Sequence, residues 1–198
     1  MIARQIGFKF LAYCLLLCGV SSVQAADSNT ASWYSIEYVI FKNNTSNVST
    51  EELPVKDAFS LTDNARNLSS LLENKSFKTL TNHQLAGPSQ RLNAVPEYTV
   101  ITQGGWSQAL KKGEELSPII INSTLTNETL YGSITFHRGR FLHVDVDLQL
   151  SDANTAFPLE PRLLRLTQTR RFRTSQLHYF DHPHFGVLAK VEKLEPLK

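Results

Sequence analysis

From Phe141 to Leu150 the chain alternates with period two. Leu142, Val144, Val146, Leu148 and Leu150 fall on one side, and Phe141, His143, Asp145, Asp147 and Gln149 on the other. Successive side chains of a strand point to opposite faces, so only a strand packed on one face and solvated on the other separates these two sets. The segment before it places Leu130, Gly132, Ile134 and Phe136 on its own apolar side. A two-residue turn at Arg138-Gly139 would mix the faces. A three-residue turn, His137-Arg138-Gly139, sets Ile134 opposite Leu142 and puts Gly139 at a left-handed position.

Other segments extend the pattern. Trp33 to Lys42 alternates, with Tyr34, Ile36, Tyr38 and Ile40 against Ser35 and Glu37, which predicts a strand packed on one face. A helix is expected to start near Asp63, with Leu68, Leu71 and Leu72 on one face, and a second to open at Pro88 and close before Pro96. Tyr98 to Gln103 reads as a strand stopped by Gly104-Gly105. From Pro118 onward the pattern is β throughout, including strands over 162–173 and 185–194. Helices early and strands late define an α+β class: an antiparallel β-sheet packed with one or two short helices from the N-terminal half.

Residues 1–25 read as a secretory signal peptide. Arg4 and Lys9 give a basic start, Phe10 to Val20 an apolar stretch, and Val23-Gln24-Ala25 a small-residue cleavage site. Both cysteines, Cys14 and Cys18, lie inside it without the small preceding residue that a lipid-modified cysteine needs, so no membrane anchor is expected. Residues 26–198 then form a single thiol-free domain that must rest on a hydrophobic core rather than disulfides. Removing Arg4 and Lys9 leaves eighteen basic and eighteen acidic residues. A chain with no net charge has no global field to draw it to nucleic acid. The charge is uneven, though: residues 138–173 hold seven arginines and no lysine, against four acids.

That cluster carries the chemistry. Arg165, Arg171 and Arg173 alternate on one strand face, with His143 beside them and Tyr179 or Trp106 as an aromatic platform. Guanidinium forks meet carboxylates two-point, and aromatic faces take sugars. The plainer reading has Asp145 and Asp147 pairing with Arg171 or Arg173 across strands, and Trp106 in the core. His178, Asp181, His182 and His184 invite a metal, but Pro183 rules out a helical His-x-x-x-His pair. Asp181-His182-Pro183-His184 suits a corner, and no metal or other cofactor is assigned. No Gly-x-Ser-x-Gly elbow occurs, and no catalytic residue is assigned.

Four blocks resemble one family, the CsiV-type periplasmic peptidoglycan-binding proteins. They are Trp33-Tyr34-Ser35-Ile36-Glu37-Tyr38-Val39-Ile40-Phe41, Gly105-Trp106-Ser107-Gln108, residues 139–148 (Arg-aromatic-Leu-His-x-Asp) and the run from Arg170 to Leu188. Ser107 and Ala109 depart from the Arg and Pro expected at those positions. The resemblance implies a non-enzymatic periplasmic protein of Gram-negative bacteria that binds peptidoglycan and promotes its synthesis. It would act with the outer-membrane lipoprotein activator of a class A penicillin-binding protein. The alternatives are an adaptor working only through protein contacts and, less in keeping with the motifs, a cell-wall hydrolase.

Overall fold

The structure, a computed structural model, describes residues 31–45, 59–114, 116–126, 128–152 and 162–195. The expected signal peptide lies outside the described residues. In chain order the elements are β1 (Ser32–Asn43), α1 (Leu68–Leu71), β2 (Phe77–Thr79), α2 (Ala86–Asn93) and β3 (Tyr98–Leu110). Strands alone follow: β4 (Ile119–Leu125), β5 (Glu128–Arg138), β6 (Leu142–Asp152), β7 (Arg162–Phe172), β8 (Leu177–Asp181) and β9 (Phe185–Leu194). The described chain is thus mostly antiparallel strand with two short helices.

The sheet expected from the sequence is two sheets. One has five strands in the order β2-β3-β1-β9-β8, and the other is a four-stranded meander, β4-β5-β6-β7. Their apolar faces share one buried cluster that includes Ile36, Trp106, Ile134, Leu148, Leu166 and Val187. Tyr34 of β1 meets Phe136 of β5 edge-on at 5.7 Å between ring centres. Phe172 of β7 and Phe180 of β8 stack at 6.0 Å, where residues 173–176 carry the chain from one sheet to the other.

Four further expectations change. β1 is packed on both faces in its middle, because its inner face joins the shared core and the segment before α2 covers its outer side. There the buried carboxylate of Glu37 accepts the backbone N–H groups of Gln84 and Leu85, at 2.8 and 2.9 Å. β3 runs straight through Gly104-Gly105. Those glycines admit neighbours rather than stop the strand: a Cβ on Gly104 would lie 2.7 Å from the Tyr38 hydroxyl, and one on Gly105 2.5 Å from the Ile36 carbonyl oxygen. The first helix is only four residues long and starts at Leu68, not near Asp63.

The fourth change moves the β5–β6 turn. Arg138 faces Leu142, so the three turn residues are Gly139, Arg140 and Phe141. Parity is kept, with Ile134 opposite Val146 and Phe136 opposite Val144, so the apolar faces stay matched as the argument from register required. Gly139 is not left-handed. The shift lifts Arg140 and Phe141 out of the ladder and onto the tip of the hairpin.

Candidate functional site

The outer face of the four-stranded sheet has a covered half and an open half. Over the covered half, the Phe59 ring packs edge-on against Tyr131 and the Phe59 backbone N–H donates to the Gln149 side chain. Arg165 lies beneath, its guanidinium 5.1 Å from the Phe59 ring centre. It donates from Nε and Nη2 to the two oxygens of Asp147, both at 2.9 Å. Asp147 also accepts from the Thr167 hydroxyl. The cross-strand pairing expected for the acids therefore exists, but with Arg165 rather than Arg171 or Arg173.

In the open half the ladders align His137, His143 and Arg171 across three strands. The imidazoles stack with centres 5.2 Å apart, and His137 Nε2 lies 3.1 Å from Asp145 Oδ2. His143 Nδ1 lies 3.2 Å from the Phe141 carbonyl oxygen. Next to this row the Arg171 guanidinium lies over the exposed Phe141 ring, 3.3 Å from its centre, and Arg140 approaches the same ring at 5.4 Å.

Around the corner, at the end of the sheet, is a depression of about 310 Å³. Leu142 and Phe172 supply apolar lining, Arg138, Arg140 and Arg173 supply guanidiniums, and Phe141 and Thr174 complete it. Arg138 donates to the Ser32 hydroxyl across the gap to β1, at 3.2 Å. Among the described residues no carboxylate pairs with Arg138, Arg140, Arg171 or Arg173. A second depression, about 420 Å³, is lined by Glu114 and Asp145 with His137 and is wrong in charge for an anion.

The structure brings Arg171, Arg173 and His143 to one end of the four-stranded sheet. It separates the other sequence candidates from them. Arg165 is neutralised by Asp147. Tyr179 belongs to β8 in the other sheet, where its ring stacks on Phe41 at 6.0 Å and its hydroxyl donates to Asp181 at 2.7 Å. Burial, and that hydrogen bond after it, push the Tyr179 phenol well above its ordinary range. Trp106 has no exposed surface, and its indole N–H donates to Gln108 at 2.9 Å. It is a core residue and offers no ring face to a ligand.

Sequence reasoning missed Arg138, Arg140 and Phe141. Their signal was the Gly-Arg-Phe turn itself, hidden because the turn was placed two residues early. Asp181-His182-Pro183-His184 forms the expected corner between β8 and β9, held by the Asn43 side chain on the Pro183 carbonyl at 3.2 Å, while His178 lies within β8. Among the described residues no three His, Cys, Asp or Glu side chains gather as a metal site.

Donor-only guanidiniums, one ring face and an apolar floor recognise anions that also carry carbon surface; this is binding chemistry on an antiparallel scaffold. The family described as "Peptidoglycan-binding protein, CsiV" matches residues 9–194, and the chain belongs to that family. Compared with the curated proteins and with the solved structures, it finds no match in either.

Proposed function

We propose that this protein is a non-enzymatic periplasmic binder of peptidoglycan, exported by a signal peptide cleaved near Ala25, whose single domain over residues 26–198 engages the wall through the cluster of Arg138, Arg140, Phe141, Arg171 and Arg173. The observation that carries the reading is the gathering of these guanidiniums around Phe141 without an acidic partner among the described residues. Like charges crowd together at a cost, and an anionic ligand offsets it. Peptidoglycan supplies such groups as stem-peptide carboxylates. His143 and Tyr179 are given supporting and separate roles: His143 steadies the Phe141 turn, and Tyr179 belongs to another surface. Promotion of wall synthesis, together with the outer-membrane lipoprotein activator of a class A penicillin-binding protein, follows from the family resemblance.

Co-sedimentation with purified sacculi tests the proposal. The protein pellets with sacculi well above an unrelated control of similar size. Recovery equal to the control overturns direct wall binding and leaves an adaptor acting through protein contacts.

A further inference from the structure

We infer that the depression at the end of the four-stranded sheet takes the free carboxylate end of a stem peptide, with its small apolar side chain on the Leu142–Phe172 floor, and not a wall sugar. This rests on the wall-binding reading and narrows it to one component of the polymer.

The lining decides against a sugar. Arg138, Arg140 and Arg173 are donors only, and the one lining side chain able to accept is Thr174. A sugar ring carries several hydroxyls, each with a proton to donate, and here most of those protons would find no acceptor. A carboxylate accepts at both oxygens and donates nothing, which matches the lining. The floor points the same way. Phe172 is buried at 3 % exposure and Leu142 lies beside it across the β6–β7 ladder. A compact anion with oxygens on all sides, such as phosphate, would set some of them against these carbons. A terminal alanine has charge at one end and a methyl group beside it.

Size and position agree. About 310 Å³ is at the low end of small-molecule sites, roughly 300–1,000 Å³. A chain end can enter such a space, whereas a continuous glycan strand can only pass over it. Phe141, one wall of the depression, also carries Arg171 on its ring, so the cationic surface extends past the lining.

The test uses the purified protein, a fluorescent stem pentapeptide ending in D-Ala-D-Ala, the same peptide with its terminal carboxylate amidated, intact sacculi, and bead-bound wall fragments and glycan strands freed of stem peptides. The acid peptide binds, and amidation weakens it roughly tenfold or more, as expected for losing a charge-assisted bidentate contact. Arg173→Gln weakens the acid peptide by a similar factor, leaves the amide unchanged, and keeps the wild-type unfolding midpoint. Glycan strands freed of stem peptides and fixed to beads do not retain the protein, whereas bead-bound intact wall fragments do. Equal binding of acid and amide overturns the inference, as does undiminished retention on bead-bound stripped glycan; in both cases retention on intact sacculi leaves the wall-binding reading standing. Displacement of the peptide by inorganic pyrophosphate at concentrations well below the peptide's own overturns it in favour of a phosphate ligand. No retention even on intact sacculi removes the wall-binding reading, and this inference with it.

Discussion

Arg171 lies over the Phe141 ring because two registers converge: β7 sets Arg171 opposite His143, and the three-residue turn folds Phe141 back beside it. The contact holds one guanidinium against the hairpin tip on an exposed surface. A cation over an exposed ring contributes about 0.5–1 kcal/mol, and Phe141→Ala loses that together with the part of the ring that is covered, so a modest fall in stability is expected. Its larger effect falls on binding, since Arg171 loses the surface that orients it. Phe141→Ala is expected to reduce retention on sacculi several-fold while Phe141→Tyr keeps it, with thermal unfolding run on both. A loss shared equally by the two variants would show that the ring is not the orienting element.

Glu37 is a structural anchor. Its carboxylate is buried and takes the N–H groups of Gln84 and Leu85, fixing the chain just before α2 on the back of β1. Glu37→Ala leaves the buried N–H of Leu85 unpaired, at about 1–3 kcal/mol by the usual cost of an orphaned group, while the more exposed N–H of Gln84 turns to water. A fall in the urea midpoint with an unchanged slope is expected. Sacculus binding by the folded fraction stays as in the wild type, because the site is on the other sheet.

Gly132 allows β5 and β6 to close on each other. Its φ is +154°, and a Cβ there would lie 2.1 Å from the Asp147 carbonyl oxygen, a backbone atom that no rotamer change moves. Gly132→Ala is therefore expected to cost more than the roughly 1–3 kcal/mol of ordinary overpacking. Soluble yield and thermal midpoint read it, with Gly139→Ala as the partner variant; Gly139 has nothing within 4 Å of such a Cβ and is expected to be near neutral.

His178 makes stability rise with pH. Burial against Phe172, whose ring centre is 3.8 Å away, holds its pKa below the ordinary histidine value, and the Arg170 and Arg173 charges add to this. Its Nε2 also accepts the Arg173 backbone N–H at 3.3 Å, which needs the neutral ring. The unfolded chain therefore takes the proton first as pH falls below about 6.5. The stabilisation is complete above that pH and is lost as pH falls through the lower folded value. His178→Gln is expected to flatten the thermal midpoint between pH 7.5 and pH 5 relative to wild type. An equal slope in both proteins assigns the effect to other groups.

How far the sequence reached depended on whether a residue's fate was decided locally. The alternation of β6 was legible because one face of that strand packs and the other does not. Parity across the β5–β6 hairpin was legible for the same reason, but a shift of two residues preserves parity, so the turn's position was not. Gly104-Gly105 looked like a stop because the side chains that need the space, Tyr38 and Leu80, come from elsewhere in the chain. Tyr179 and Arg171 are near in sequence, yet residues 173–176 carry the chain between sheets, and nothing in the local pattern announces that crossing. Trp106 was ambiguous by composition and became a core residue through the packing of both sheets.

The arginines divide into one that is spent and several that are not, and this gives the sharpest contrast available in the site. Arg165 and Arg171 share a strand face, but only Arg165 has a two-point acid partner. Truncating Arg165 exposes Asp147 and loses an exposed ion pair worth roughly 0.2–1 kcal/mol. Binding is untouched, because that guanidinium was not available to a ligand. Truncating Arg171 and Arg173 together removes two guanidiniums that meet no acid among the described residues, with little effect on folding and a marked loss of sacculus retention. Salt separates the two cases further. Exposed charges are screened over about 8 Å at physiological ionic strength and about 3 Å at 1 M, so wild-type and Arg165→Ala retention both fall as salt is raised. The double variant starts low and changes little. Arg165→Ala losing retention as severely as the double variant would mean that the whole arginine face acts in bulk rather than through the end of the sheet where Arg171 and Arg173 meet Phe141.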